Sequence, residues 1–403
     1  MLNTSMPPAV VLSCLGAPEG DLNVVRSLGE RGVHVIVLSE YQLVPAGRSR
    51  HCRELIVVPG YTQSPDRLLQ ALTALRRRLG VKPVVFASAD PDLAALVEIA
   101  GEIDDVAVST VVDVGLTAVL SDKRRFDQLV RAHDLPVPAT HAPSSAVQLD
   151  EVCLRSDYPL IVKPSHPVAW HRSGLAHSIA SSKAIAVPSA QALRELGQTL
   201  LQHGAEFLVQ SYIPGDDECH YDVHAYIDRQ GHATASYSGR KWRIHPPHAG
   251  SGCYVESTLI PELESLALDV LTRIGYRGLA NINFKRHAVS GEYKLMEINP
   301  RVSQWNILPT RSGVNLPWIA YRDACGWPPE ALPPRRVGMY YLNARTDLRA
   351  MRLYRREGRW PLAQWLPTVL RPGLVHQLAQ WDDPKPALHV LGRALLRRLG
   401  LGS

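Results

Sequence analysis

The sequence predicts an α/β protein: a parallel-sheet domain, then a hairpin-rich α+β region, then a basic C-terminal extension. Three observations carry this. Strand-length apolar runs alternate with helix-length segments over residues 1–120, the pattern of βαβ units. After residue 206 the strands come in neighbouring pairs around Gly-containing turns, which is hairpin chemistry. From Arg335 onward 13 Lys/Arg face 4 Asp/Glu, whereas the rest of the chain holds 31 against 34.

Ala9-Val10-Val11-Leu12-Ser13 reads as a buried strand, followed by a loop with Gly16 and Gly20 and a helix from Asp21 to about Arg31. Val33–Leu38 closes the first βαβ unit, which makes a right-handed crossover between parallel strands. The glycines lack the GxGxxG spacing, so dinucleotide binding has little support. Leu55–Val58, a helix near Pro65–Leu79, and Pro83–Phe86 repeat the pattern, and Pro91–Ala100 is the next helix. Residues 1–120 are therefore expected to form a Rossmann-like domain.

Ser121-Asp122-Lys123 opens a helix to about His133, with either Ser121 or Asp122 as its cap. After a helix over 145–155, Tyr158–Pro164 is an apolar strand that delivers Lys163 at its end. Ala184–Val187, the helix Ala190–Gln202, and the strand beginning at Phe207 follow. His220–Ile227 and His232–Ser238 form one hairpin, and Leu279–Arg286 and Tyr293–Asn299 a second, with a helix over 261–275 between them. A basic helix is expected over Ala387–Leu399.

At 403 residues the chain has room for two or three domains with real cores. The six cysteines are scattered with no CxxC pair, as expected for reduced thiols in a cytoplasmic protein rather than a disulfide framework or zinc site. The net charge of +6 resides in the C-terminal segment, so a chain-wide nucleic-acid surface is not implied. No signal peptide and no bilayer-length apolar run is apparent.

The most chemically loaded stretch is Glu297-Ile298-Asn299-Pro300-Arg301. Strand alternation puts Glu297, Asn299 and Arg301 on one face. A carboxylate and an amide oxygen suit a hard cation, and an arginine beside them suits a phosphate. The alternative is an amphipathic edge strand with a solvated face. His220 and His224 share a strand face with Asp222, but at i and i+4 they lie roughly 13 Å apart, too far to share a metal.

Taken in order, the motifs SDK (121–123), VKP (162–164), VQSYIPG (209–215), GRKWR (239–243), NINFKR (281–286) and EINPR (297–301) resemble the ATP-grasp superfamily of carboxylate–amine ligases. The phrases GRKWRIHPP and WDDPKP are similar to a subgroup that includes D-aspartate ligase. The resemblance implies an ATP-grasp fold of two α+β subdomains, at 121–205 and 206–325, after the Rossmann-like domain and before an extension at 326–403. It implies ATP and Mg2+, with Mn2+ as a substitute. Lys123 and Lys163 would meet the ATP phosphates as point charges. Gln210 would read the adenine amino group, the hinge Ser211-Tyr212-Ile213 would bond the purine ring, and Glu218 would accept from the ribose. Glu297 and Asn299 would hold the metal, together with Asn283, which stands where the family usually has an acid. Arg301, Lys241 and Arg243 would serve the transferred phosphate or the substrate carboxylate. The loop after Lys163 has Gly174 alone where the family often has several glycines, so His171 and Arg172 become candidates to cover the phosphates. Asp216 and Asp217 read as solvated turn residues.

The implied activity is ATP-dependent joining of a small-molecule carboxylate to an amine, one of them an amino acid, through an acyl phosphate. A grasp-fold phosphotransferase and a catalytically degenerate ATP-binding regulator are the competing readings; Asn283 favours the second. The basic extension either caps the grasp or lies peripherally on an anionic membrane, given Arg352, Arg355, Arg356 and Arg359 at helical spacing. A homodimer would be unsurprising.

Overall fold

The computed structural model describes residues 6–15, 20–165, 170, 173–180, 182 and 184–398, the last two by their backbone alone. The N-terminal domain contains β1 (Ala9–Ser13), α1 (Gly20–Gly29), β2 (Val35–Ser39), β3 (Cys52–Val57), α2 (Pro65–Leu79), β4 (Val84–Phe86), α3 (Asp90–Glu98), α4 (Ala100–Val106), β5 (Val108–Ser109) and α5 (Val114–Leu120). Its five strands are parallel in the order β3-β2-β1-β4-β5. β1 and β2 are buried along their whole length, which is why they read as unbroken apolar runs. The single helix expected at Pro91–Ala100 turns at Ile99 and becomes α3 and α4.

The second unit holds α6 (Lys123–Ala132), β6 (Thr140–His141), α7 (Ala146–Arg155), β7 (Leu160–Pro164), α8 (His177–Ala180), β8 (Ile185–Val187), α9 (Ala190–Gln202) and β9 (Phe207–Ser211). Its four-stranded sheet runs β6-β9-β7-β8. Of the two residues that could cap α6, Asp122 does so, accepting from the backbone N–H groups of Arg124 and Arg125. β9 belongs to this sheet through its pairing with β7, so the expected boundary at 205/206 moves to the end of that strand.

The third unit holds β10 (His220–Ile227), β11 (Ala233–His245), β12 (Ser251–Thr258), α10 (Pro261–Arg273), β13 (Gly278–Arg286), β14 (Tyr293–Asn299), α11 (Ile307–Arg311) and α12 (Leu316–Ala324). Both expected hairpins are present, β10/β11 and β13/β14, and β13 also pairs with β10. The rest of the chain gives β15 (Tyr340–Leu342), α13 (Ala344–Arg356), α14 (Leu362–Val369), β16 (Val375–His376) and α15 (Lys385–Arg398).

Residues 326–403, expected as an extension, contribute strands to the third unit. β15 and β16 complete one seven-stranded sheet, β14-β13-β10-β11-β12-β15-β16. The segment is also tied to the N-terminal domain by a fully buried ion pair, Arg26 Nε to Asp383 Oδ2 at 2.9 Å. The other guanidinium nitrogens of Arg26 bond carbonyls of Gln377, Leu378 and Asp383, so each nitrogen has an acceptor. Basic residues of α13 do not form one face with Arg359. That side chain lies past the helix end and turns inward, 5.1 Å over the Tyr354 ring and 3.6–3.8 Å from Asp216, Asp217 and Glu218. Asp217 is accordingly not a solvated turn residue: it is buried, and accepts from Tyr354 Oη at 2.7 Å and the His248 N–H at 3.0 Å.

One core runs from β1, β2 and β4 through Trp305, Ile307, Leu308, Leu316 and Tyr321. The N-terminal domain therefore packs on the segment that follows EINPR, which brings α3 to the end of β14. Among the described residues no helix is long and apolar enough to cross a membrane.

Candidate active site

β14 carries a bulge: Asn283 pairs with Glu297 and Phe284 with Leu295, leaving Met296 unpaired. The extra residue lets Leu295 and Ile298 both enter the core while Glu297 and Asn299 face outward. They face a cavity of about 210 Å3 between the four-stranded and seven-stranded sheets. Lys123 lines it from the start of α6, Lys163 from β7, Gln210 from β9, and Asp90 from the start of α3, with Val137, Leu208 and Leu295 as apolar wall. The structure thus brings together five of the residues singled out from the sequence: Lys123, Lys163, Gln210, Glu297 and Asn299.

Lys163 Nζ donates to Gln210 Oε1 at 2.9 Å, and Gln210 Nε2 donates to Thr140 Oγ1 at 2.9 Å. Both ends of the Gln210 amide are therefore engaged, and it orients Lys163 on the wall of the cavity that both residues line. Burial pushes the Lys163 ammonium down to about 8, the Lys123 charge adds to the effect, and Glu297 opposes it. Lys123 Nζ donates to the carbonyl of Pro164 at 3.3 Å, which sets the two ammonium groups side by side. Two ammonium groups held side by side on one cavity wall suit a polyanion.

Glu297 Oε1 accepts from Asn299 Nδ2 at 3.1 Å, and Asn299 Oδ1 accepts from Arg301 Nη2 at 3.4 Å. Arg301 Nε also donates to Asp90, which couples EINPR to the N-terminal domain. Glu297 and Asn299 both line the cavity, and a carboxylate and an amide oxygen are hard donors that suit Mg2+, an ion that keeps several of its waters; here Asn299 presents its Nδ2 to Glu297 and its Oδ1 to Arg301. Asn283 does not add a third donor. Its Oδ1 accepts from Lys241 Nζ at 2.7 Å, and its Nδ2 is buried without a partner. The amide is drawn across the sheet because Lys241 also meets Asp222 Oδ1 at 2.7 Å. Asp222 is 1 % exposed; burial pushes its carboxyl up, and Lys241 and the Trp305 indole N–H at 3.1 Å oppose this.

The pairing of Lys241 with Arg243 as site cations is corrected. A bulge between them, with Lys241 opposite Val255 and Arg243 opposite Tyr254, turns Arg243 away. Arg243 is fully buried, with Nε 2.7 Å and Nη2 3.2 Å from the Asp347 carboxylate, Nη2 3.0 Å from Thr368, and its plane on Tyr254 and Trp360. It has no open face for a phosphate or carboxylate. The hinge lies at the end of β9, outside the cavity lining: the Ser211 N–H bonds Ala139, Tyr212 lies under Lys285 Nζ at 4.9 Å, and Ile213 is buried. Glu218 is likewise off the cavity, beside Arg240 and Arg359, with its carboxyl pushed up by burial. His171 and Arg172 lie outside the described residues. Trp170 is core, its indole N–H donating to the Glu206 carbonyl at 3.2 Å. His220 and His224 are held to about 3 chiefly by burial, and His224 stacks on Trp305 at 4.0 Å; neither is arranged as a metal ligand.

Asp90, Thr140, Asp222 and Trp305 were not singled out from the sequence as site residues. Asp222 alone left a signal, a lone acid on the strand face that pairs in register with Asn283 and hence Glu297.

A family profile described as ATP-grasp in the biosynthetic pathway with Ter operon matches residues 204–346. D-aspartate ligase of Enterococcus faecium is 24% identical over 336 residues, which cover 80% of this chain and 78% of that protein. The fold is similar to that of N5-carboxyaminoimidazole ribonucleotide synthetase in its ADP complex, with a TM-score of 0.62, 14% identity, and coverage of 84% and 82% of the two chains. It is also similar to the dimeric biotin carboxylase domain of a Hydrogenobacter thermophilus 2-oxoglutarate carboxylase, solved with MgADP, ADP and bicarbonate, with a TM-score of 0.61, 14% identity, and coverage of 83% and 74%. Six motifs in family order, a fold shared with these enzymes, and a match along most of a D-aspartate ligase are what this chain has in common with the ATP-grasp carboxylate–amine ligases.

Proposed function

We propose that this enzyme activates a small carboxylate with ATP as an acyl phosphate and passes the acyl group to an amine, with an amino acid as one of the two substrates. The observation that carries the reading is the cavity in which the Lys123 and Lys163 ammonium groups face Glu297 and Asn299. Lys163 and Lys123 bind the ATP phosphates. Glu297 and Asn299 would hold Mg2+, which supplies positive charge to those phosphates when bound. A carboxylate oxygen of the substrate attacks the γ-phosphorus, a new P–O bond forms, and ADP leaves. The amine nitrogen then attacks the acyl carbon and the C–O bond to phosphate breaks; the nitrogen loses its proton as inorganic phosphate departs. Arg301, two residues past Asn299 and bonded to it and to Asp90, would steady the charge on the transferring phosphate. No protein nucleophile is needed.

The amino-acid assignment rests on the likeness to D-aspartate ligase. The dimeric biotin carboxylase relative supports a homodimer as the working state. The engagement of the Asn283 oxygen by Lys241 favours one alternative, an ATP-binding regulator without turnover, because Glu297 is then the single carboxylate at the metal position.

The test is purified protein with Mg-ATP and an amino-acid panel crossed with carboxylic acids. ADP and phosphate should appear only when both partners are present, and an 18O-labelled carboxylate should deliver one label to the phosphate. A phosphorylated product without amine would make the enzyme a phosphotransferase. Tight ATP binding without turnover on any pair would support the regulator.

A further inference from the structure

The helix α15 is amphipathic in the reverse sense. On one side Pro386 is buried and His389, Val390 and Arg393 are half-buried, at the spacing i, i+3, i+4 and i+7 of a single helix face. The opposite side carries Leu388, Leu391 and Leu395, which are 64%, 66% and 59% exposed. A helix that folds onto its own domain ordinarily buries its leucines and leaves its histidine and arginine to water.

Polar contacts explain which side the domain holds. Arg393 Nη1 donates to the Leu43 carbonyl at 3.3 Å. Burial holds the His389 imidazole below its usual range, and Arg48 and Arg393 add to the effect. Two residues before the helix, Asp383 is buried against Arg26 and Ser49. α15 is thus fixed to the N-terminal domain through its polar side, and its leucine row faces outward.

Charge selects what covers that row. From Pro384 to Ser403 the sequence holds Lys385, Arg393, Arg397 and Arg398 and no Asp or Glu. A second copy docked through the same face would bring like charges together. The helix has 14 residues, so its face is roughly 21 Å long and about 10 Å wide, well short of the ~800 Å2 per partner of a standard protein interface. A bilayer surface sets no such minimum. An interfacial helix sinks its apolar side among the headgroups, and binding grows with apolar area and with the attraction of cations to anionic lipid. Trp381, four residues before the helix, is wholly exposed, and tryptophan is a residue that settles at headgroup level.

We infer that α15 is a peripheral docking element for an anionic membrane surface, with Leu388, Leu391 and Leu395 inserted among the headgroups and the basic residues of the segment drawn to lipid phosphate. The inference does not rest on the ligase reading.

The experiment is co-sedimentation of the full chain with vesicles of phosphatidylglycerol and phosphatidylcholine in equal parts, and with vesicles of phosphatidylcholine alone. Binding should appear on the anionic vesicles, weaken as salt is raised, and be at least about tenfold weaker on the neutral ones. Leu391→Gln with Leu395→Gln should weaken binding to the anionic vesicles at least about tenfold. An unchanged urea unfolding midpoint reports that this variant folds, as expected for exposed positions. If the pair does not fold, Leu388→Gln carries the test in the same direction. Attraction by net charge alone would leave the folded leucine variant binding as tightly as the parent, and that result would overturn the inference. So would absence of binding to anionic vesicles, or equal binding to neutral ones. A dimer of the parent chain that the leucine variant splits would assign the face to a second copy and overturn it as well.

Discussion

Lys241 and Arg243 stand two residues apart on β11, and each meets an acid at 2.7 Å, yet the two pairs do opposite work. Arg243 and Asp347 are sealed under α13, with a bidentate bond, a Thr368 hydroxyl and two aromatic faces around the guanidinium, whose Nη1 alone has no acceptor. Lys241 and Asp222 sit on the polar row that runs through Asn283 to Glu297, and this neighbourhood is unsaturated. Asn283 Nδ2, Asn281 Oδ1 and both His224 nitrogens are buried without partners. A buried bidentate pair closed off from the cavity holds a fold together. An unsaturated polar row keeps bonding capacity for something else, at a cost to stability. Residue type and spacing are nearly the same in the two cases; what differs is the bulge that sends the side chains in different directions.

The contrast can be broken most forcefully at Arg243. Arg243→Ala leaves Asp347 charged and buried, so the variant should lose about 3–5 kcal/mol in urea unfolding. The folded fraction should still bind ATP normally. A loss of ATP affinity with little loss of stability would reverse the assignment of the two cations.

Glu297 gives the next largest effect, in the opposite observable. Glu297→Ala should lower turnover by about a hundredfold or more, with an unchanged unfolding midpoint because the side chain is exposed. Retention of full turnover would remove Glu297 from the site.

Gly239→Ala sharpens the comparison from the polar row itself. A Cβ there would meet Trp305 at 2.6 Å, and Trp305 supplies the indole N–H to Asp222. The clash should cost about 1–3 kcal/mol. It should also lower ligase turnover at saturating ATP, which a change confined to packing beyond the site would not do.

The smallest effect is a pH dependence. Lys163 titrates at about 8, below a free lysine at about 10.4, so between these values the unfolded chain holds more protons and this group makes the apo protein more stable as pH rises. ATP demands the charged form. Its affinity should therefore fall by roughly tenfold per unit above pH 8, and binding at pH 8 should take up a fraction of a proton, read by calorimetry in two buffers. Lys163→Arg should flatten the slope.

Much of the scaffold was legible in the chain. The parallel sheet announced itself through apolar runs such as Val35–Ser39, because a strand buried on both faces has no polar positions to interrupt it. Lys163 at the end of an apolar strand and the outward face of EINPR were legible for the same local reason: strand alternation fixes direction over two or three residues. Asp217 was misread as solvated because nothing near it in sequence signals Tyr354, which reaches it from 137 residues away. Asn283 was expected on the metal because it stands where the resembled family usually has an acid; only the spatial presence of Lys241 and Asp222 showed which way its oxygen turns.

The sequence by itself determined the element order, the six motifs and the family they point to, since these rest on local pattern and on residue chemistry at fixed spacing. Tertiary structure decided which cations face the cavity, that the basic C-terminal segment completes the large sheet, and that α15 turns its leucines outward. Those outcomes depend on bulges, on long-range pairing and on which buried donors find acceptors. They are sums over residues far apart in the chain, and no local window contains them.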